Sequence, residues 1–349
     1  MKAALLYQLN TPLRIEEIPE PEIGPWDLLV RTATCGICRT DLHIQEGLAY
    51  VPTLPHIGGH EPAGIVVRCG SEVTGFQPGD RVIPYLFVTH TKEQLHDGHA
   101  PFPDEIEGII GVTRAGGFAE FFAGPARNFI PIPDSVSFEA AGLVSCGVIT
   151  AVHAFRRAAM KSGQKALVIG SGGIGVLLVQ ILKEAGMTVL ATALSDVSCE
   201  VARKAGADFA IRAGDPDCIA EIQRFSGGGV DCAFDMVGRT ATMTAAAASV
   251  RNRGKIVIIG EEPEAPAQTS IEIAQRELQI IGSRNGGLDD ARTALQMLAT
   301  GLISPHIDRR FGFHDINEAL DCVRSGQAHG RVVVEFESTL DNVKQPHNL

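Results

Sequence analysis

Apolar and polar positions fall into two textures along the chain. Up to about Pro133, short apolar runs such as Leu28-Leu29-Val30 and Gly64-Ile65-Val66-Val67 stand between frequent Gly and Pro turn signals, which predicts an irregular, mostly β domain. From Ser162 the apolar runs alternate with helix-length segments. Positions 165–169 read as a buried strand, 174–185 as a helix, 188–192 as a second strand and 196–205 as a second helix. The rhythm continues through a strand at 230–234, an Ala-rich helix at 240–250 and strands at 255–259 and 279–281. This βαβ alternation predicts an α/β domain, a doubly wound parallel sheet of about six strands. A helix is expected at 288–298, and the strand-like run 331–336 belongs back on the first domain. Phe118 to Phe122 alternate with small residues and predict strand packing, and Phe102 is expected in a core or interface. The last residues, 340–349, form a polar tail, and there is no internal repeat.

Composition narrows the function classes. With 349 residues the chain has room for two domains, and 45% hydrophobic with 20% charged residues is the balance of a packed globular protein. The net charge of -11 comes with no Lys/Arg block, so neither nucleic acid nor an anionic membrane is an expected partner, and a small molecule is. The N-terminal stretch lacks the pattern of a signal peptide and no apolar run reaches a membrane span, so a cytoplasmic protein is expected. Eight cysteines scattered at 35, 38, 69, 146, 199, 218, 232 and 322 read as free thiols or metal ligands, not as a disulfide framework.

Gly170-Ser171-Gly172-Gly173-Ile174-Gly175 follows a strand and opens a helix, the setting that a G-x-G-x-x-G turn needs to bind a dinucleotide. Gly170 permits the tight turn, Gly172 lets the chain approach a pyrophosphate, and Gly175 lets the helix pack on the strand, with the helix N-terminus facing the phosphate charge. The second strand ends Ala191-Thr192-Ala193-Leu194-Ser195, without the carboxylate that binds the ribose 2′-hydroxyl of NAD. No Arg or Lys follows at once to attract a 2′-phosphate; Arg203 and Lys204 lie further along, on what reads as an exposed helix face. The expectation leans slightly toward NADP(H) over NAD(H).

Two motifs and one cysteine supply metal-binding chemistry: Cys35-Gly36-Ile37-Cys38-Arg39-Thr40-Asp41-Leu42-His43, then Gly58-Gly59-His60-Glu61, and Cys146 ahead of the glycine turn. A catalytic zinc takes three Cys, His or carboxylate ligands and keeps a fourth position open. Spacing alone does not select three ligands from eight cysteines and eleven histidines. The order of these motifs, with the opening MKAALL, the FQPGDRV segment and the closing GRVVVEF, resembles the zinc-dependent alcohol dehydrogenases of the medium-chain dehydrogenase/reductase family over nearly the whole chain.

That resemblance implies a GroES-like catalytic domain at 1–147 and 290–349 and a Rossmann dinucleotide-binding domain at 148–289. It implies Cys38, His60 and Cys146 as ligands of one catalytic zinc, with Glu61 as an alternative ligand, and Asp41 accepting a hydrogen bond from the far nitrogen of His60. It further implies Arg39 and Arg331 on the pyrophosphate and Thr150 near the nicotinamide. Thr40 would take the alcohol proton and pass it through the cofactor ribose to His43 at the surface. The activity implied is hydride transfer between an alcohol or carbonyl and a nicotinamide dinucleotide, in a homodimer or homotetramer whose dinucleotide sheets meet edge to edge. Cys35 is better read as a small buried hydrophobe.

The sequence departs from the family at one point. Many relatives carry four close cysteines for a structural zinc, whereas 85–114 contains none, so no structural zinc is expected. His90, His96 and His99 in that segment read as exposed loop residues. Ala49 and Leu86 stand where bulky aromatics would narrow the substrate pocket, which implies a roomier site for medium-chain or aromatic alcohols and aldehydes. A zinc-free enoyl or quinone reductase of the same fold is the rival enzyme, and the intact Cys38, His60 and Cys146 argue against it. A non-enzymatic binding protein is the rival of another class; Thr40, Asp41 and His43 beside an open metal position argue against that.

Overall fold

Asp27–Ile37 is an eleven-residue strand around which the first unit is built. In the computed structural model, which describes residues 1–336 except 49, 51, 92, 93, 95–97 and 267, this strand lies inside a seven-stranded sheet. Glu61–Cys69 pairs with it on one side, followed by Arg81–Pro84 and Phe129–Pro131; Arg331–Glu335 pairs with it on the other, followed by Ile307–Gly312. Phe121–Pro125 joins along Asp27 to Arg31. Leu28, Leu29 and Val30 are all buried, so this stretch is covered on both faces and reads as a continuous apolar run. A three-stranded sheet places Lys2–Leu6 between Arg14–Glu17 and His56–Ile57, and Phe87–Thr89 pairs with Ile106–Ile109. Leu42, Phe118, Ile316, Leu320 and Val332 meet in the main core of the unit, where each such side chain contributes about 1.5–3 kcal/mol by leaving water.

The second unit holds a six-stranded parallel sheet. Its order across the sheet is Phe209–Arg212, Thr188–Ala193, Lys165–Ile169, Val230–Asp235, Val250–Ile258 and Gln279–Gly282. Ala166, Leu167 and Val168 are fully buried, as expected of a strand with helices on both faces. The strand order reverses beside Lys165–Ile169, and the carboxyl ends of the strands at such a reversal form the crevice in which open α/β sheets bind ligands. The helices Gly175–Glu184, Asp196–Lys204 and Thr240–Ser249 fall within a residue of their expected places.

The first unit comprises Met1–Gly147, Gly287–Ala299 and the chain from Ile307 onward; the second comprises Val148–Gly286 and Thr300–His306. The return to the first unit thus begins at Gly287, with a short excursion after Ala299. Among the described residues no single helix is long and apolar enough to cross a membrane. Phe118 and Phe122 are buried as expected, whereas Phe102 is 65% exposed and so stands outside the core of its unit. The reason is local: Pro101 and Pro103 flank it and it precedes a single 3-10 turn, Pro103–Glu105, so it has no strand to set it on a sheet face. The expected polar tail lies outside the described residues.

Candidate functional site

The strand Asp27–Ile37 ends one residue before Cys38, which takes an extended conformation and caps the helix Arg39–Glu46. Asp41, third in that helix, accepts the Cys38 N–H on Oδ2 at 2.9 Å and closes a capping box. Its Oδ1 accepts from His60 Nδ1 at 2.8 Å. One carboxylate therefore both stops the helix from fraying and fixes the tautomer of the ring, which leaves Nε2 with its lone pair. That Nε2 is buried and has no hydrogen-bond partner, an arrangement that costs about 1–3 kcal/mol unless the atom is used. Cys38 Sγ and Cys146 Sγ lie 4.0 Å apart, and the ligand atoms of Cys38, His60, Glu61 and Cys146 all lie within 4.8 Å of one another. Two zinc–sulfur bonds of about 2.3 Å at a tetrahedral angle hold their sulfurs about 3.8 Å apart, so these residues fit zinc. No other such group is found among the described residues.

Charge around the cluster is arranged for a cation. A hydrogen bond from the Cys146 thiol holds Cys38 well below the usual thiol range against its burial, and His60 acts in the same direction. Donating that bond, together with burial, pushes Cys146 well above it. Burial works against a charged His60, but Asp41 and the Cys38 sulfur outweigh it and hold the ring well above the ordinary histidine range. Burial pushes Glu61 up to about 7 in spite of Arg331.

Glu61 and Arg331 form an ion pair in which both side chains are buried. Gly36 pairs with Glu61 in the sheet, and a Cβ at Gly36 would stand 2.1 Å from Glu61 Oε2. The absence of a side chain there is what lets Glu61 reach Arg331 around the end of the central strand. Glu61 Oε1 accepts from the Gly147 N–H at 3.1 Å, and Ser145 donates to the Pro84 carbonyl at 2.7 Å; together these contacts hold the turn that carries Cys146.

Other expected residues fall variously. Thr40 Oγ1 lies 3.9 Å from Cys38 Sγ. His43, expected at the surface, is only 7% exposed, and Arg39 Nε donates to its Nε2 at 3.4 Å. Arg39 itself is exposed. Arg331, expected on a pyrophosphate, has its guanidinium turned inward to Glu61 and the Ile37 carbonyl. Cys35 is fully buried, and burial is the main cause that raises its thiol. Leu86 is buried, His90 and His99 are exposed, and Ala49 and His96 lie outside the described residues. Thr150 belongs to the second unit and is buried.

In the second unit the glycine turn has the geometry its residues require. Gly170 sits at φ +95°, and its N–H and that of Ser171 donate to the Thr192 carbonyl at 3.1 and 2.9 Å. A Cβ at Gly175 would stand 2.1 Å from the Gly170 carbonyl oxygen, whereas one at Gly172 would meet nothing within 4 Å. Gly173 and Ile174 then lead into the helix Gly175–Glu184.

Sequence reasoning missed two residues here. Ala193, at the end of the second strand, pairs in register with Arg212 of the neighbouring strand, which brings a half-exposed guanidinium beside the position that lacks a carboxylate. Only the sheet register reveals that proximity across nineteen positions of sequence. Leu194, next to Ala193, is 92% exposed, an apolar platform at the strand's carboxyl end. Arg203, by contrast, is engaged with the Ala210 carbonyl at 2.7 Å.

Residues 24–134 match the alcohol dehydrogenase GroES-like domain, and residues 173–300 match the zinc-binding dehydrogenase domain. An alcohol dehydrogenase of Geobacillus stearothermophilus is 33% identical over 97% of this chain and 100% of its own. The solved alcohol dehydrogenase of the hyperthermophilic archaeon Aeropyrum pernix has a TM-score of 0.88 at 29% identity, covering 96% of this chain and 100% of that one. An acetophenone reductase of Geotrichum candidum, solved in complex with NAD, has a TM-score of 0.85 at 26% identity and covers 96% of each chain.

Proposed function

The chain belongs to the zinc-containing alcohol dehydrogenases of the medium-chain type, and on that premise we propose which residues carry its chemistry and what it acts on. It is an oxidoreductase that interconverts alcohols and carbonyl compounds with a nicotinamide dinucleotide. Cys38, His60 and Cys146 hold one zinc ion per chain, and Glu61 stands by as an alternative ligand. The observation that carries this assignment is the buried, unpartnered His60 Nε2 facing two cysteine sulfurs 4.0 Å apart. When bound, zinc supplies Lewis-acid chemistry: it acidifies an alcohol or polarises a carbonyl.

The chain's own residues do the rest. Asp41 keeps His60 in its ligating tautomer. Thr40 accepts the substrate proton at its hydroxyl and His43 carries it onward. The turn Gly170–Gly175 binds the pyrophosphate, and Leu194 gives the adenine an apolar face. NADP(H) is favoured over NAD(H), because Ala193 presents no repelling carboxylate and Arg212 stands beside it. The substrates are medium-chain or aromatic alcohols and their aldehydes or ketones, a reading supported by the likeness to a reductase of acetophenone. The working form is a homodimer or homotetramer in the cytoplasm.

Elemental analysis of the purified chain, paired with spectrophotometric assays of both dinucleotides against alcohols, aldehydes, enones and quinones, tests the assignment. About one zinc per chain, turnover lost on chelation and a Cys38→Ser variant without zinc-dependent activity are expected. A zinc-free protein that reduces enones or quinones would overturn it.

A further inference from the structure

His56 lies on the short strand His56–Ile57, is 5% exposed, and has an Nε2 with no hydrogen-bond partner. The Gly111 backbone acts on the ring in the direction that favours its N–H, against the effect of burial. With Nε2 unpartnered, that influence falls to Nδ1, and we assign the ring proton there, which leaves Nε2 as an acceptor. Burial lowers the pKa of His56 and keeps the ring neutral.

The side chain lines a cavity of about 20 Å³ together with Asp41, Gln45, Leu6, Leu13 and Phe118. Asp41 is also an acceptor: each of its oxygens takes one hydrogen bond, from His60 and from the Cys38 N–H, and each retains a free lone pair. The Gln45 amide is turned away, its Nε2 donating to the Thr11 carbonyl and its Oε1 accepting from Arg324. Two buried acceptors thus face one small cavity, and neither can bond the other. A group with two O–H donors reconciles them, and the cavity exceeds the roughly 10–15 Å³ that a single water needs.

We propose that one ordered water sits in this cavity, donating one hydrogen to His56 Nε2 and the other to the Asp41 carboxylate, and that His56 is thereby a positioning residue for the metal ligand His60. The network runs His56, water, Asp41, His60, and it fixes from behind the carboxylate that orients the ring. This inference deepens the assignment of His60 as a zinc ligand and rests on it for its functional consequence, but the water itself does not depend on that assignment.

A crystal structure of the zinc-loaded wild-type protein, at a resolution that shows single waters, should place a water within hydrogen-bonding distance of both His56 Nε2 and Asp41. Chelator-driven zinc loss from the holoenzyme should be about tenfold faster in His56→Leu and within about twofold of wild type in His56→Gln, whose amide can replace the polar contact. Zinc loss at equal rates in the two variants, or a cavity without a water peak, would overturn the proposal. A protein that binds no zinc yet shows the water would instead refute the metal assignment and leave the cavity water standing. The wild-type density decides even if His56→Leu does not fold.

Discussion

Arg212 brings a positive charge to a place where Ala193 contributes none, and the pair is the residue-scale basis of the preference proposed for NADP(H). Its guanidinium is now shared between Asp215 at 2.8 Å and the more exposed Asp196 at 3.6 Å, and a 2′-phosphate would take the place of the second. Arg212→Ala should weaken NADP(H) binding about tenfold, the size of one partly exposed charge-assisted contact, and leave NAD(H) binding unchanged; fluorescence titration of both cofactors checks this, and equal losses would refute it. At the proposed metal centre, His60 and Cys146 are shifted toward their protonated forms in the metal-free chain and Cys38 toward its thiolate. Zinc loading near neutral pH should therefore release protons, and affinity should rise with pH and fall as acid competes for the ligands. Calorimetry in buffers of different ionisation enthalpy reads the proton count directly. The three proposed metal ligands were legible only through resemblance to a family, since the residue types alone fit many triplets. The pairing of Glu61 with Arg331 and the orphaned nitrogen of His56 were not legible at all, because both depend on which strands lie side by side.

At the scale of elements, the glycine turn separates residues needed for folding from one needed for binding. Gly175 must lack a side chain for the helix Gly175–Glu184 to pack against Gly170, whereas Gly172 opens on free space. Gly172→Ala should leave the unfolding midpoint essentially unchanged while weakening dinucleotide binding about tenfold or more, since the new methyl occupies ground the pyrophosphate approaches. Thermal denaturation and cofactor titration on the same sample make the comparison; a variant that lost stability instead would show the turn to be structural. The parallel strands of this unit were readable because burial on both faces makes them continuous apolar runs. Val250–Ile258 was the exception: it starts five residues before its expected place, where Arg251, Asn252 and Arg253 are exposed and a register shift against Val230–Asp235 breaks the pattern. In the first unit, register shifts at Leu29/Val30 and Thr32/Thr34 interrupt the alternation along Asp27–Ile37, and only its opening Leu28-Leu29-Val30 stood out.

For the whole molecule, assembly and order of construction follow from the sheets. Gln279–Gly282 is an edge strand of the six-stranded sheet, Ile280 on it is 40% exposed, and Ile271 on the adjoining helix Ser270–Gln275 is 66% exposed. An apolar edge of this kind invites pairing with a second copy. Ile280→Asp should weaken the proposed association by about 2 kcal/mol or more, as loss of a central contact does, and light scattering should show the variant shifted toward monomer relative to the wild type.

The ion pair that backs the metal centre has a different implication, because its members lie far apart along the chain. Glu61 and all the proposed zinc ligands belong to the first 147 residues, whereas Arg331 arrives with the strand Arg331–Glu335 that flanks Asp27–Ile37 from the far side. A ribosome delivers the chain from its N-terminus. A nascent polypeptide that has already released every ligating side chain still has an uncompensated acid at Glu61 and an open flank on its central strand. The centre is complete only once Arg331 has been added, so secure capture of zinc waits on a residue made long after the last candidate ligand.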